Sequence, residues 1–243
     1  MPVIRAAAAT DVGSNREINE DSVLAINPVY VVADGMGGHE AGEVASARAI
    51  AEMAHLIDLR RPVTEDDVKA AVRAAQFSVS QLATERRRLM AGTTLTGVVI
   101  VHRDGQPWWM ILNLGDSRTY KLVNGELTQV SIDHSEVQEL VNIGHLTPAE
   151  ARVHPRRNVV TRALGAGGRF QPDYWLLPLQ AGDRLMICSD GLTGEVTDDV
   201  IAGMLLFNPE PPAAAQALVA EALRMGGSDN VSVIVVDAIS DTP

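Results

Sequence analysis

Four aspartates fall where strand-like apolar runs begin or end. Val29-Tyr-Val-Val-Ala33 runs into Asp34-Gly35, Trp108 to Leu114 into Gly115-Asp116-Ser117, and Arg184 to Ser189 into Asp190-Gly191. The fourth, Asp229, follows Gly226-Gly227-Ser228 and leads through Asn230 into the apolar run Val231 to Val236. Gly or Ser beside each acid lets the backbone turn sharply there. Taken singly, Asp-Gly is an ordinary turn dipeptide. Four acids gathered in one place would repel one another unless a cation neutralised them. Oxygen ligands without Cys or His suit hard cations, Mg²⁺ or Mn²⁺. Two such ions about 4 Å apart can deprotonate a water and clamp an in-line displacement at phosphorus. The spacing alone leaves open whether the four acids converge.

The elements that must position them are short. Strands are predicted over Val3 to Ala9, Ser22 to Ile26, Val29 to Ala33, Thr94 to Val101, Trp108 to Asn113, Thr119 to Val123, Arg184 to Cys188 and Val231 to Ala238. Helical spacing marks Gly42 to Asp58, and Thr64 caps a helix that opens with Glu65-Asp66-Asp67 and runs toward Arg88. Thr147-Pro148-Ala149-Glu150 reads as another helix start, as does Thr197-Asp198-Asp199, and Ala213 to Met225 forms a last, Ala-rich helix. This order is α+β, a mainly antiparallel sheet system with helices outside. Residues 1–243 read as one domain, with about 133–168, poor in strand signals, as an inserted flap.

Composition narrows the chemistry. With 20 basic against 31 acidic residues the net charge is −11, which argues against a phosphate-backbone partner, since nucleic acid needs a basic face. A single cysteine excludes a disulfide framework and favours an intracellular setting. No apolar run reaches the length of a bilayer span. Cys188 lacks the arginine six positions on that a cysteine-nucleophile phosphatase needs; Gly194 stands there. No phosphate loop ending in Gly-Lys-Ser/Thr occurs, which removes nucleotide hydrolysis by that route.

Seven strings in order carry a specific resemblance: Arg16-Glu-Ile-Asn19-Glu20-Asp21, Asp34-Gly-Met-Gly-Gly38-His39, Gly92-Thr93-Thr94, Leu114-Gly-Asp116-Ser-Arg118, Asp133-His-Ser135, Ser189-Asp190-Gly-Leu192 and Gly227-Ser-Asp229-Asn230-Val231. The chain resembles the type-2C, metal-dependent Ser/Thr protein phosphatases, most closely their bacterial branch. The resemblance implies a four-layer α/β/β/α sandwich of two mainly antiparallel sheets, with the metal site at one edge and the flap beside it. It implies that Asp34 bridges two Mn²⁺ or Mg²⁺ ions, that Gly35 offers a backbone carbonyl, and that Asp190 and Asp229 ligate the second ion. Glu20 and Asp21 would act through metal-bound waters, Asp116 with Asp190 would hold a weaker third ion, and Arg16 would grip the substrate phosphate. A metal-bridging hydroxide would then attack phosphorus directly, with no phospho-enzyme.

Two departures matter. Met36 stands where animal relatives carry a histidine directly after Asp-Gly, so His39 is the candidate general acid, against its reading as a loop histidine that orders the turn. Gly194 stands where some relatives carry a further acid, which weakens the third-ion site. The implied partners are phosphorylated proteins, a cognate Ser/Thr kinase among them. The expected chain is a monomer, cytoplasmic or the cytoplasmic catalytic part of a membrane-anchored protein. Two rival readings are a catalytically silent binding module, which should have lost metal acids, and a two-metal nuclease, which should show a basic groove.

Overall fold

The computed structural model describes residues 2–37, 40–85, 91–167 and 170–240. Its strands build two antiparallel sheets. The first runs in the order β1 (Val3–Asp11), β11 (Val231–Ile239), β10 (Arg184–Cys188), β7 (Arg118–Val123), β8 (Glu126–Gln129). The second runs β2 (Asp21–Ile26), β3 (Val29–Met36), β5 (Leu95–Arg103), β6 (Gln106–Leu114), β9 (Asp173–Pro178), with the two-residue β4 (Gly92–Thr93) paired to β3. All eight expected strands are present.

The apolar runs are nearly continuous because each sheet is covered on both faces, so both sets of alternating side chains are buried. Tyr30, Val32, Trp109, Ile111, Leu185, Ile187, Ile234 and Val236 meet between the sheets. Their neighbours Val29, Val31, Met110 and Leu112 point the other way, onto helices α1 (Glu40–Ala54) and α2 (Glu65–Glu85). Met186, Cys188, Val233 and Val235 face outward onto α5 (Asp190–Thr193), α6 (Asp198–Phe207) and α7 (Pro211–Met225). Three apolar clusters therefore glue four layers, helix, sheet, sheet, helix, as the resemblance implied. Cys188 is a free, fully buried thiol in the outer cluster, and burial pushes its pKa up, so it is no nucleophile.

Local chemistry sets the helix ends. Thr64 and Asp67 bond reciprocally, with the Thr64 amide donating to the Asp67 carboxylate at 2.9 Å and the Asp67 amide to the Thr64 hydroxyl at 3.3 Å. α1 ends at Ala54, four residues before the expected Asp58, and Arg86 to Arg88 lie outside the described residues. Between β8 and β9 the chain makes α3 (Glu136–Asn142) and α4 (Pro148–Val153); α4 opens with the expected Thr147/Glu150 capping box. Four elements went unread in the sequence: β4, β8, β9 and α3, besides the single turn of α5. Among the described residues no helix is long and apolar enough to cross a membrane.

Candidate active site

The strand ends bring the acids to one edge, where the two sheets meet. Asp21 opens β2 directly opposite Asp34 near the end of β3, so the two carboxylates face each other across one strand pair. Asp34 is held through its backbone: its amide donates to the Thr94 hydroxyl at 3.0 Å, and its carbonyl accepts from the Thr93 hydroxyl and the Thr94 amide, each at 2.9 Å. From the other sheet, Asp190 follows β10 at the first turn of α5, and Asp229 precedes β11. Asp116 sits in the turn between β6 and β7 and is 8% exposed.

Close approach of backbones makes this gathering possible. A Cβ on Gly35 would lie 2.2 Å from the Gly42 carbonyl oxygen, and one on Gly191 would lie 2.0 Å from the Asn230 carbonyl oxygen. Gly191 and Asn230 adjoin Asp190 and Asp229, so this contact sets the separation of those two acids. Gly191→Ala is expected to destabilise the chain by about 3 kcal/mol or more, because backbone must move to admit the methyl. Denaturant unfolding measures this, and native stability in the variant would show that the two loops do not pack as described.

Hydroxyls and amides tie down the supporting residues. Ser189 donates to Asp21 Oδ2 at 2.8 Å and accepts from the Ser232 amide at 2.9 Å; Ser232 meets Thr10 hydroxyl to hydroxyl at 2.8 Å. Asn230 accepts from the Glu20 amide at 2.8 Å and donates to the carbonyls of Val12 and Ile18. Glu195 accepts from the amide of Ser228 at 3.1 Å and from its hydroxyl, holding the loop that carries Asp229. Ser189 and Asn230 stand inside motif strings, yet nothing in their spacing reveals the bonds to Asp21 and Glu20, which join the two sheets.

The electrostatics show carboxylates short of positive charge. Burial, then repulsion from Asp21, Asp190, Asp116 and Asp229, pushes Asp34 well above the ordinary carboxylate range. Burial also raises Asp116 strongly and Asp190 more moderately, with other acids adding to both. Asp21 is pushed up to about 7, again by burial first, against the two serine hydroxyls that favour its charged form. Glu20 is raised by burial as well. Glu20 Oε1 and Asp21 Oδ1 are buried with no hydrogen-bond partner. Orphaned anionic oxygens amid mutual repulsion are what a hard divalent cation relieves, so the residues present fit the implied ions. Among the described residues no three side chains of Asp, Glu, His or Cys form a ready-made cage. The candidate donors are carboxylates, the oxygen ligands that hard divalent ions take.

Arg16 lies beside these acids, half exposed, with Nη2 donating to Asp229 Oδ2 at 2.8 Å. His39 lies outside the described residues. Of the flap arginines, Arg156 pairs with Glu136, and Arg162 donates to the Gln171 carbonyl at 3.4 Å while its Nη1 lies 3.2 Å from His134 Nε2. Asp116 and Asp190 share one cavity of about 550 Å³ with Val137, Val141 and Ala151 of the inserted helices.

Comparison with known proteins follows the same lines. The chain matches the family described as Protein phosphatase 2C over residues 14–230. The serine/threonine protein phosphatase PstP of Mycobacterium tuberculosis is 44% identical over 241 residues, which are 98% of this chain and 45% of that protein. The chain thus spans about half the length of this relative. The serine/threonine phosphatase stp of Listeria welshimeri is 34% identical over 237 residues, covering 94% of this chain and 93% of that protein. A crystal structure of the PstP catalytic domain in complex with two manganese ions is similar with a TM-score of 0.89 at 40% identity, covering 99% of this chain and 100% of that one.

Proposed function

Because the chain belongs to the protein phosphatase 2C family, we propose that it is a metal-dependent phosphatase acting on phosphoserine and phosphothreonine in proteins. The observation that carries this reading is the crowding of Asp21, Asp34, Asp116 and Asp190, each holding its proton more tightly than an ordinary aspartate, with orphaned oxygens on Glu20 and Asp21. Asp34, Asp190, Asp229 and the Gly35 carbonyl would hold the ions, and Glu20 and Asp21 would orient their water. Bound Mn²⁺ or Mg²⁺ would supply a water activated at neutral pH and offset charge on the phosphoryl group. Arg16 holds the substrate phosphate by guanidinium hydrogen bonds, and His39 is its candidate proton donor for the leaving alkoxide.

The test is hydrolysis of a phosphothreonine peptide by the metal-stripped chain as Mn²⁺ is titrated back, with Asp229→Ala as control. Activity that follows the metal and disappears in the control supports the reading. Metal binding without hydrolysis in the native chain favours the silent module. Arg16→Ala should raise KM for phosphate esters by roughly tenfold or more with a smaller change in kcat, since it removes binding and leaves the nucleophile. Unchanged KM would take the phosphate from Arg16. The physiological partners on this reading are phosphoproteins, a cognate Ser/Thr kinase among them, met in the cytoplasm by a monomeric catalytic domain. Sedimentation of the purified chain checks the last point.

A further inference from the structure

His134 begins the inserted segment, 3% exposed and wedged against the turn that carries Asp116. The contact is reciprocal. The Gly115 amide donates to His134 Nδ1 at 3.2 Å, and the His134 amide donates to the Gly115 carbonyl at 2.8 Å. The other ring nitrogen, Nε2, meets Asp173 Oδ2 at 3.1 Å, at the start of β9, and Arg162 Nη1, which can only donate and also reaches the Gln171 carbonyl, stands 3.2 Å from it. With Nδ1 accepting from an amide, the neutral ring carries its proton on Nε2 and gives it to Asp173. Burial lowers the pKa of His134, consistent with that neutral form. The far end of the insertion returns to the same residue: the Thr161 amide donates to the His134 carbonyl at 2.8 Å, and Ser135 pairs with Val160 in an isolated bridge.

Other links share this base but none replaces the imidazole. Arg118 forks onto Asp133 at 2.7 to 3.0 Å and joins the Tyr120 hydroxyl at 3.0 Å, fixing Asp133 to β7. Asn113 donates to the Gly115 and Ile132 carbonyls at 3.1 and 3.0 Å. Only the His134 side chain reaches the amide directly before Asp116 among these bonds. We propose that His134 is a positioning residue, whose Nδ1 holds the Gly115 amide so that the next side chain, Asp116, faces the cavity it shares with Asp190 and the inserted helices. This rests on the metal-dependent reading of the site above, and deepens it by assigning the group that aims one of its outer ligands.

Two substitutions separate the ring's two ends. The amide oxygen of Asn falls where Nδ1 lies, and the amide nitrogen of Gln falls where Nε2 lies. His134→Asn keeps an acceptor for Gly115 and gives up Asp173; His134→Gln does the reverse. Calorimetric titration of the metal-stripped chain with Mn²⁺, using Asp116→Ala to identify the Asp116-dependent step, reads the difference. In His134→Gln that step should weaken by roughly tenfold or more, the usual cost of losing a group that orients a ligand. In His134→Asn it should stay within about threefold of native, a rescue that a merely space-filling histidine would not show. Equal weakening in both variants, or none in His134→Gln, overturns the proposal while leaving the phosphatase reading intact. If His134→Gln fails to fold, a folded His134→Asn that has lost the Asp116-dependent step overturns it equally. A native chain with no Asp116-dependent step overturns it as well, and one that binds no Mn²⁺ at all overturns both readings.

Discussion

Asp34→Ala is expected to cut Mn²⁺-dependent hydrolysis of a phosphothreonine peptide by on the order of a thousandfold or more. A thousandfold corresponds to about 4 kcal/mol of lost transition-state stabilisation, within what a central metal ligand supplies. On the proposed reading Asp34 is the central ligand: it faces Asp21 across β2 and β3, and repulsion from Asp21, Asp190, Asp116 and Asp229 adds to burial in raising its pKa. Its backbone is held by Thr93 and Thr94, bonds that the alanine keeps. Removing its carboxylate relieves repulsion, so the metal-free variant should melt no lower than the metal-free parent. Loss of activity with retained melting temperature separates a ligand from a fold residue. A variant that keeps its Mn²⁺-dependent rate would remove Asp34 from the centre of the site.

Much of this arrangement is legible in the sequence because it is local. A strand buried on both faces writes itself as a continuous apolar run, as Val29 to Ala33 and Val233 to Val236 do, with an Asp-Gly, Gly-Asp or Ser-Asp close to one end. The short edge strands carry no such mark. Glu126–Gln129 alternates over only four residues, though Asn124-Gly125 before it is a strong hairpin signal that could have exposed it. Asp173–Pro178 is half-buried along its length and closes in proline, which removes the alternation. Hidden altogether were bonds that join residues distant in sequence. Ser189 reaches Asp21 and His134 reaches Gly115 only once the two sheets and the inserted helices are in place. The resemblance named the acids; the geometry supplied what aims them.

The same crowding of acids should make the metal-free chain lose stability as pH rises. Asp21, Asp34, Asp116, Asp190 and Glu20 all have folded-state pKa values above their ordinary ones, chiefly through burial. A group raised in this way binds its proton more tightly in the folded state, so its stabilising effect is full below the unfolded pKa and is lost as pH rises through the folded one. For Asp21 that window runs from the ordinary aspartate value near 4 up to about 7. Each pKa unit of displacement is worth about 1.4 kcal/mol, and 1 kcal/mol moves the melting temperature of a chain this size by about 2–4 °C. Melting of the EDTA-treated chain should therefore fall by about ten degrees between pH 5 and 8. Self-repulsion at a net charge of −11 acts in the same direction, so the slope alone does not identify the site. Asp21→Asn supplies the identification: it removes one buried ionisation and should flatten the slope, whereas a surface carboxamide substitution at exposed Asp104 should not. Mn²⁺ should raise the melting temperature more at pH 8 than at pH 5, because at pH 5 protons compete for the same oxygens. A metal-free melting temperature that is flat or rises from pH 5 to 8 would mean that these carboxylates ionise freely in the folded chain, and that the strain the cations are meant to relieve is not there.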